Sequence, residues 1–349
     1  IRSCLVGSEM CIRDSNVTDL LGRGYSGGHI TLIFTVEDEA DELTEQGSLG
    51  AGICLEDGVE VITRGCEGEG GIVVSFIGNE GDSGMYIHAL EIIGGILPEI
   101  LEYDWEVTVN LGLPAGQGFG MSAAGSIAFC DSLQRAVGIP YEESKRRSLL
   151  VAHLVDRERS SGLGDVTALA SGGVVIRKSP GSPYSGHLLE RGPGESLGWS
   201  SDSDIILAWN DKYSKHTSTY IEDSKWKTAI TRSGNENLRG LLEGGWDKSR
   251  WHDLVTSSEA FSLGSGLSGE SARADVLNIC KSSILEVGME EEIRPLLCML
   301  GTSVAIVPRD INYNLDNPER IIQKLNENGL TAVVSRICLL YTSDAADES

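Results

Sequence analysis

Three carboxylates and one serine stand where phosphate chemistry could be done. The run PAGQGFGMSAAG, residues 114–125, has glycines at 116, 118 and 120 and then Ser122. Glycine lets a backbone turn sharply and approach a ligand closely. The residues that follow are small, apolar and helically spaced, so the loop opens onto a helix N-terminus, where unpaired N–H groups and the helix dipole favour an anion. In the first turn of that helix, the Ser122 hydroxyl can meet a phosphate oxygen or a metal ion. Farther along, Asp156 and Glu158 lie near the end of a helical segment, AHLVDRERSS, and Asp165 stands in the sequence GLGD. Alone, Asp165 reads more often as a turn or cap residue than as a catalytic one. Asp156 and Glu158 read equally as surface charges beside Arg157 and Arg159.

Other phosphate loops share this logic and fail on spacing. A Walker A loop needs G-x-x-x-x-G-K-[ST], and no lysine follows these glycines. The dinucleotide fingerprint is met only weakly, at Gly118, Gly120 and Ala123, and a charged helix follows where a parallel strand ending in an acid is required. A nucleophile elbow needs G-x-S-x-G, but Ser122 is followed by Ala123 and Ala124.

Stepping outward, short β-branched runs at 29–34, 52–57, 59–63 and 71–76 predict strands, and helical spacing over 85–101 predicts one helix among them. Residues 105–111 alternate as a half-buried strand does. The loop is therefore held between that strand and the helix ending at Gly138 and Pro140. A second helix over ESKRRSLLVAHLVDRERSS leads to GLGDVTALASGGVVIRK, read as a loop and then a strand. A Gly-, Ser- and Pro-rich stretch from Ser179 to Asp204 predicts the boundary to a second α+β unit. That unit should hold amphipathic helices over 220–300, then strands at 301–309 and 329–336 around a helix starting near Asn317 and Pro318.

PAGQGFGMSAAG resembles the ATP-binding motif of the GHMP kinases, with Pro114, Gly118, Gly120, Ser122, Ala123 and Ala124 at the family spacing. SSGLGDVTALASGG is similar to the later family segment that carries a catalytic aspartate, which falls on Asp165. The resemblance implies that Pro114, Ala115, Gly116, Gln117, Gly118, Phe119, Gly120, Met121, Ser122, Ala123 and Ala124 wrap ATP. It also implies that Ser122 and an acid on the preceding helix hold Mg²⁺, with Asp156 preferred by spacing and Glu158 in reserve. YSGGHITLIF, GSLGAGICLEDG, AHLVDRERSSGLGDV and CMLGTSVAIV look like segments of the archaeal pantoate kinase branch, which phosphorylates pantoate on a route to coenzyme A. Other acceptors within the family, mevalonate or homoserine, and a non-catalytic ligand sensor on the same fold are the alternatives.

The implied fold is α+β: an N-terminal half like domain 2 of ribosomal protein S5 over 16–185, and a ferredoxin-like half over 200–336. His29, Thr31 and Ser48 are the expected contacts to a small hydroxy-acid substrate. Two positions depart from the branch: Gly27 stands where proline is expected, and Leu49 where arginine is expected. An arginine near a substrate carboxylate would supply charge-assisted hydrogen bonds, and Arg23, Arg64 and Arg157 are candidates to replace it.

The chain has 349 residues, 40% of them hydrophobic, enough for a sizeable core. With 52 acidic against 28 basic residues its formal net charge is −24, which disfavours nucleic acid and anionic lipid as partners. No apolar run reaches membrane-spanning length. Eight cysteines without a C-x-x-C pair read as free thiols in a reducing cytoplasm. A homodimer is the family expectation. The terminal segments, 1–15 and 337–349, break the patterning beside them and resemble non-native translated sequence at fragment ends, so they are set outside the fold.

Overall fold

The computed structural model describes residues 19–212, 220, 223–313, 315 and 317–338. In chain order these form β1 (Leu20–Phe34), β2 (Gly50–Glu67), β3 (Ile72–Gly78), α1 (Ser83–Ile96), β4 (Tyr103–Leu111), α2 (Met121–Ala136), α3 (Tyr141–Glu158), α4 (Asp165–Ser171) and β5 (Val174–Ser179). A small hairpin, β6 (Tyr184–Ser185) and β7 (Glu190–Arg191), leads to β8 (Glu195–Trp199). The second unit runs β9 (Asp204–Trp209), α5 (Ser224–Leu242), α6 (Trp251–Gly264), α7 (Ser271–Val287), β10 (Ile293–Cys298), β11 (Ser303–Pro308), α8 (Pro318–Glu327) and β12 (Thr331–Arg336).

The first sheet is ordered β3-β4-β2-β5-β8, with β1 on the free side of β2. All its pairs are antiparallel except β3 with β4. Two short strands were expected at 52–57 and 59–63, but β2 runs unbroken through Gly58. Its glycine is not a turn. A side chain there would come within 2.0 Å of the Ser26 carbonyl oxygen, so Gly58 marks close strand approach beside a register shift between Gly27 and His29. On the covered face, Gly22 and Gly24 let α2 lie directly on β1: a Cβ at either would sit 1.9 Å from the carbonyl oxygen of Ser132 or Ala128.

The second sheet is antiparallel and ordered β10-β11-β9-β12. With helices after β9 and between β11 and β12, this is the ferredoxin-like order that was expected. The mixed α+β class holds for the whole chain.

Several local expectations need correction. Residues 165–171 form a helix where a loop was read: Ala168, Leu169 and Ala170 are strong helix formers and Asp165 stands in the first turn. Residues 293–298 form a buried strand inside the region assigned to helices. The first sheet also continues through β8, past the limit expected at 185. Pro98 ends α1 and turns the remaining predicted helix into a short 3₁₀ segment. The segments set aside at 1–15 and beyond residue 338 lie outside the described residues. Ile337 is buried and bridges Leu55, and the Cys338 N–H donates to the Cys54 carbonyl at 2.9 Å, so packing persists two residues past 336.

Candidate active site

The glycine loop joins the two units. Gly116, Gly118 and Gly120 adopt φ of +75°, +82° and +70°, a region other residues rarely enter. Gly120 starts α2 without a side-chain cap, so the first N–H groups of this helix remain available to an anion. The loop is clamped from the far side. Phe119 packs edge-on against Trp209 at 5.7 Å, Gln117 Nε2 donates to the Asn210 carbonyl at 3.2 Å, and Ser303 Oγ donates to the Gln117 carbonyl. Gly116, Gly118, Phe119, Gly120, Met121 and Ser122 line a cavity of about 100 Å³. The other residues of the expected ATP segment serve differently: Gln117 is buried in the clamp, and Ala123 and Ala124 are buried within α2. Pro114 is half-buried and Ala115 exposed on the approach.

Beside the loop, α3 delivers Asp156. Its Oδ1 accepts hydrogen bonds from Ser161 Oγ at 2.7 Å and Ser122 Oγ at 3.2 Å. The side chain is 3% exposed, and burial, with the nearby charge of Asp165, pushes its pKa up to about 7 against the opposing pull of the two hydroxyls and Arg157. One carboxylate with one or two hydroxyl oxygens suits Mg²⁺, whose remaining positions go to phosphate and water. Among the described residues no group of three or more His, Cys, Asp or Glu could hold a metal alone. Glu158 does not join this set. Two positions on, a helix has turned about 200°, and Glu158 instead pairs with His88 on α1 at 2.7 Å.

Across the cavity, Asp165 begins α4. His29 Nδ1 lies 2.6 Å from its Oδ1, and Thr31 Oγ1 donates to the same oxygen at 3.2 Å. Burial raises the Asp165 pKa, but the hydrogen bond from His29, with Arg177 and Thr31, brings it below the ordinary carboxylate value. Burial lowers the His29 pKa despite Asp165. The pair is therefore carboxylate with neutral imidazole at neutral pH. Thr31 and Ser48 line the cavity. His29 does not: its side chain is 0% exposed, so it meets Asp165 rather than a ligand.

Arg177, on β5, was not anticipated. It is 1% exposed yet lines the cavity, and its Nε and Nη1 have no hydrogen-bond partner among the described residues. Burial lowers its pKa to about 10 against the support of Asp165 and Cys54, so it stays charged. The three arginines considered earlier are engaged elsewhere: Arg23 with Glu60 at 2.6 Å, Arg64 with Asp19 at 2.6 Å, and Arg157 with Gln46 and the Gly162 carbonyl. The only sequence signal for Arg177 is a charge closing the apolar run GGVVI. Its inward direction depends on the pairing of β5 with β2, which lies more than a hundred residues upstream.

An uncapped helix start behind a glycine loop, a buried carboxylate and a second, ionised aspartate around one cavity, on this two-unit α+β fold, are the arrangement of a GHMP kinase, a phosphotransferase acting on a hydroxyl group. No family model matches the chain. It is 31% identical to a pantoate kinase of Methanospirillum hungatei over 281 residues, 76% of this chain and 82% of that protein. It is 27% identical to a pantoate kinase of Methanocaldococcus jannaschii, over 82% of this chain and 92% of that protein. The chain belongs to the pantoate kinase family. In structure it resembles a phosphotransferase related to the coenzyme A biosynthesis pathway, with a TM-score of 0.71 at 22% identity over 91% of this chain and 96% of that one. A homoserine kinase from Cytophaga hutchinsonii follows with a TM-score of 0.58 at 12% identity, over 97% and 98% of the two chains.

Proposed function

We propose that this chain transfers the γ-phosphoryl group of ATP to the terminal hydroxyl of pantoate. The observation that carries the reading is Arg177: a buried guanidinium with unpaired donors in the cavity that holds Asp165. A buried charge without a partner is costly, and a substrate carboxylate would satisfy it with charge-assisted hydrogen bonds. Pantoate offers that carboxylate on the same small molecule as the hydroxyl.

The phosphates would lie on the loop from Gly116 to Gly120 and the start of α2. Asp156 and Ser122 would hold Mg²⁺, which when bound neutralises phosphate charge. Asp165 receives the proton of the attacking hydroxyl as its oxygen bonds to phosphorus and the bond from phosphorus to the β-phosphate bridging oxygen breaks, releasing ADP. Phosphoryl transfer asks for little more than such positioning and charge neutralisation. Thr31 and Ser48 would fix the acceptor chain between Arg177 and Asp165. A supply of ATP places the enzyme in the cytoplasm, and a homodimer remains the family expectation.

ADP release with ATP, Mg²⁺ and pantoate, beside parallel reactions with mevalonate and homoserine, tests the reading. Selective turnover of pantoate is expected. Preference for another acceptor would reject the substrate and keep the kinase. Absence of turnover by a folded, ATP-binding protein would favour a ligand sensor.

A further inference from the structure

We propose that His29 is the positioning residue of the reaction: a permanently neutral N–H donor that aims Asp165 and ties it to the nucleotide loop. The inference deepens the proposed function and rests on Asp165 as the proton acceptor.

One residue makes contact in both directions. Its backbone N–H donates to the Phe119 carbonyl at 2.9 Å, and a Cβ on Gly120 would stand only 2.9 Å from that same nitrogen. Its imidazole Nδ1 meets Asp165 Oδ1 at 2.6 Å. The register shift between Gly27 and His29 re-aims the strand at this point. His29 thus links the phosphate loop directly to the proton acceptor, with Thr31 as a second hold on Asp165.

Geometry also fixes its protonation. His29 Nε2 is buried without a hydrogen-bond partner among the described residues and faces Gly52, where an added Cβ would come within 2.6 Å. An imidazolium would bury an unpaired N–H at Nε2, whereas the neutral form with its proton on Nδ1 leaves only a lone pair there. Nδ1–H then donates to Asp165 and cannot accept its proton. The hydrogen bonds from His29 and Thr31 both end on Oδ1, so the substrate proton stops on the other carboxylate oxygen and no relay continues into the protein. The titratable and charged groups near the pair are consistent with this: Arg177 on β5 opposes a positive imidazole, Cys54 on β2 is held as a thiol by burial, and Asp156 on α3 lies toward the phosphate side.

Two measurements test it. In the intact protein, imidazole ¹⁵N spectra should show His29 neutral and protonated on Nδ1 from about pH 6 to 8, whichever acceptor the enzyme uses. Kinetically, His29→Asn places an amide donor near Nδ1 and should keep kcat within about tenfold, whereas His29→Gln and His29→Ala should lose about a hundredfold or more with KM for ATP nearly unchanged. In the latter two the acid limb of kcat should move to higher pH, because Asp165 keeps its burial and loses its donor. An Nε2-protonated or cationic His29 would overturn the proposal. So would equal losses in all three variants with an unmoved pH profile, the mark of a merely structural residue. Failure of pantoate turnover in the wild type, with the tautomer as expected, would reject the proposed substrate instead.

Discussion

Arg177 stands in register with Gly50 across β5 and β2, and its guanidinium occupies the space a side chain at residue 50 would need. A Cβ there would lie 2.0 Å from Arg177 Nη2 and 2.6 Å from the Ile33 carbonyl oxygen. Leu49, the position from which an arginine is missing, is the neighbouring residue on the same strand approach. On the proposed function, Arg177 would supply that cation from the facing strand.

Removing it should separate substrate from nucleotide. Arg177→Ala and Arg177→Lys should raise KM for pantoate by about a hundredfold, equivalent to about 3 kcal/mol of charge-assisted hydrogen bonding. KM for ATP should move little, and steady-state kinetics with each substrate varied in turn would show it. Parallel loss of both would make Arg177 a fold residue.

Asp165→Asn preserves shape and removes the proton acceptor. We expect kcat to fall by about 10²–10⁴, the usual contribution of a positioned base, while ATP affinity measured by calorimetry stays close to wild type. Loss of ATP binding to the same degree would assign Asp165 to structure.

Asp156 links stability to pH in an unusual sense. Its pKa in the fold, about 7, lies above the ordinary carboxylate value, so the unfolded chain gives up this proton first. Stability should therefore fall as pH rises from about 4 to 7, by as much as about 4 kcal/mol from this group. In chelator at pH 8, Asp156→Asn should melt higher than wild type. In saturating Mg²⁺ and ATP the order should reverse, because only the carboxylate gains from the cation. Thermal melts under the two conditions check both signs.

Gly120→Ala tests the helix start. The substitution meets a left-handed backbone at φ +70° and the His29 backbone 2.9 Å away, at a cost of about 1–2 kcal/mol from conformation alone. Nucleotide affinity should fall with the melting temperature, whereas Gly138→Ala, in open space at φ +83°, should lower stability alone.

The features that could be read without coordinates were local. Three glycines at alternate positions, a small apolar helix and GLGD lie within short windows, so their spacing carries their chemistry. Asp156 could be preferred over Glu158 only through the spacing that the family resemblance implies. What escaped was set by pairing between distant strands. Arg177 faces inward because β5 lies antiparallel to β2, and His29 is sealed from substrate because α4 brings Asp165 over it. The helix at 165–171 was hidden by its flanking glycines, and β10 by the helical segments before it. Gly27, where proline was expected, and Gly28 sit at the β1 bulge, where a Cβ on either would lie within 3 Å of neighbouring backbone atoms.

The clamp on the glycine loop has a practical consequence. Gln117 is held by Asn210 and Ser303, and the Met299 N–H reaches the Thr31 carbonyl at 2.9 Å. A polypeptide cut between Trp199 and Asp204 would leave the phosphate loop on one fragment and its fasteners on the other. Neither piece alone would present a rigid nucleotide cradle. Fluorescent ATP binding would then report reunion of the two fragments, making this junction a natural place to split the enzyme into a complementation pair.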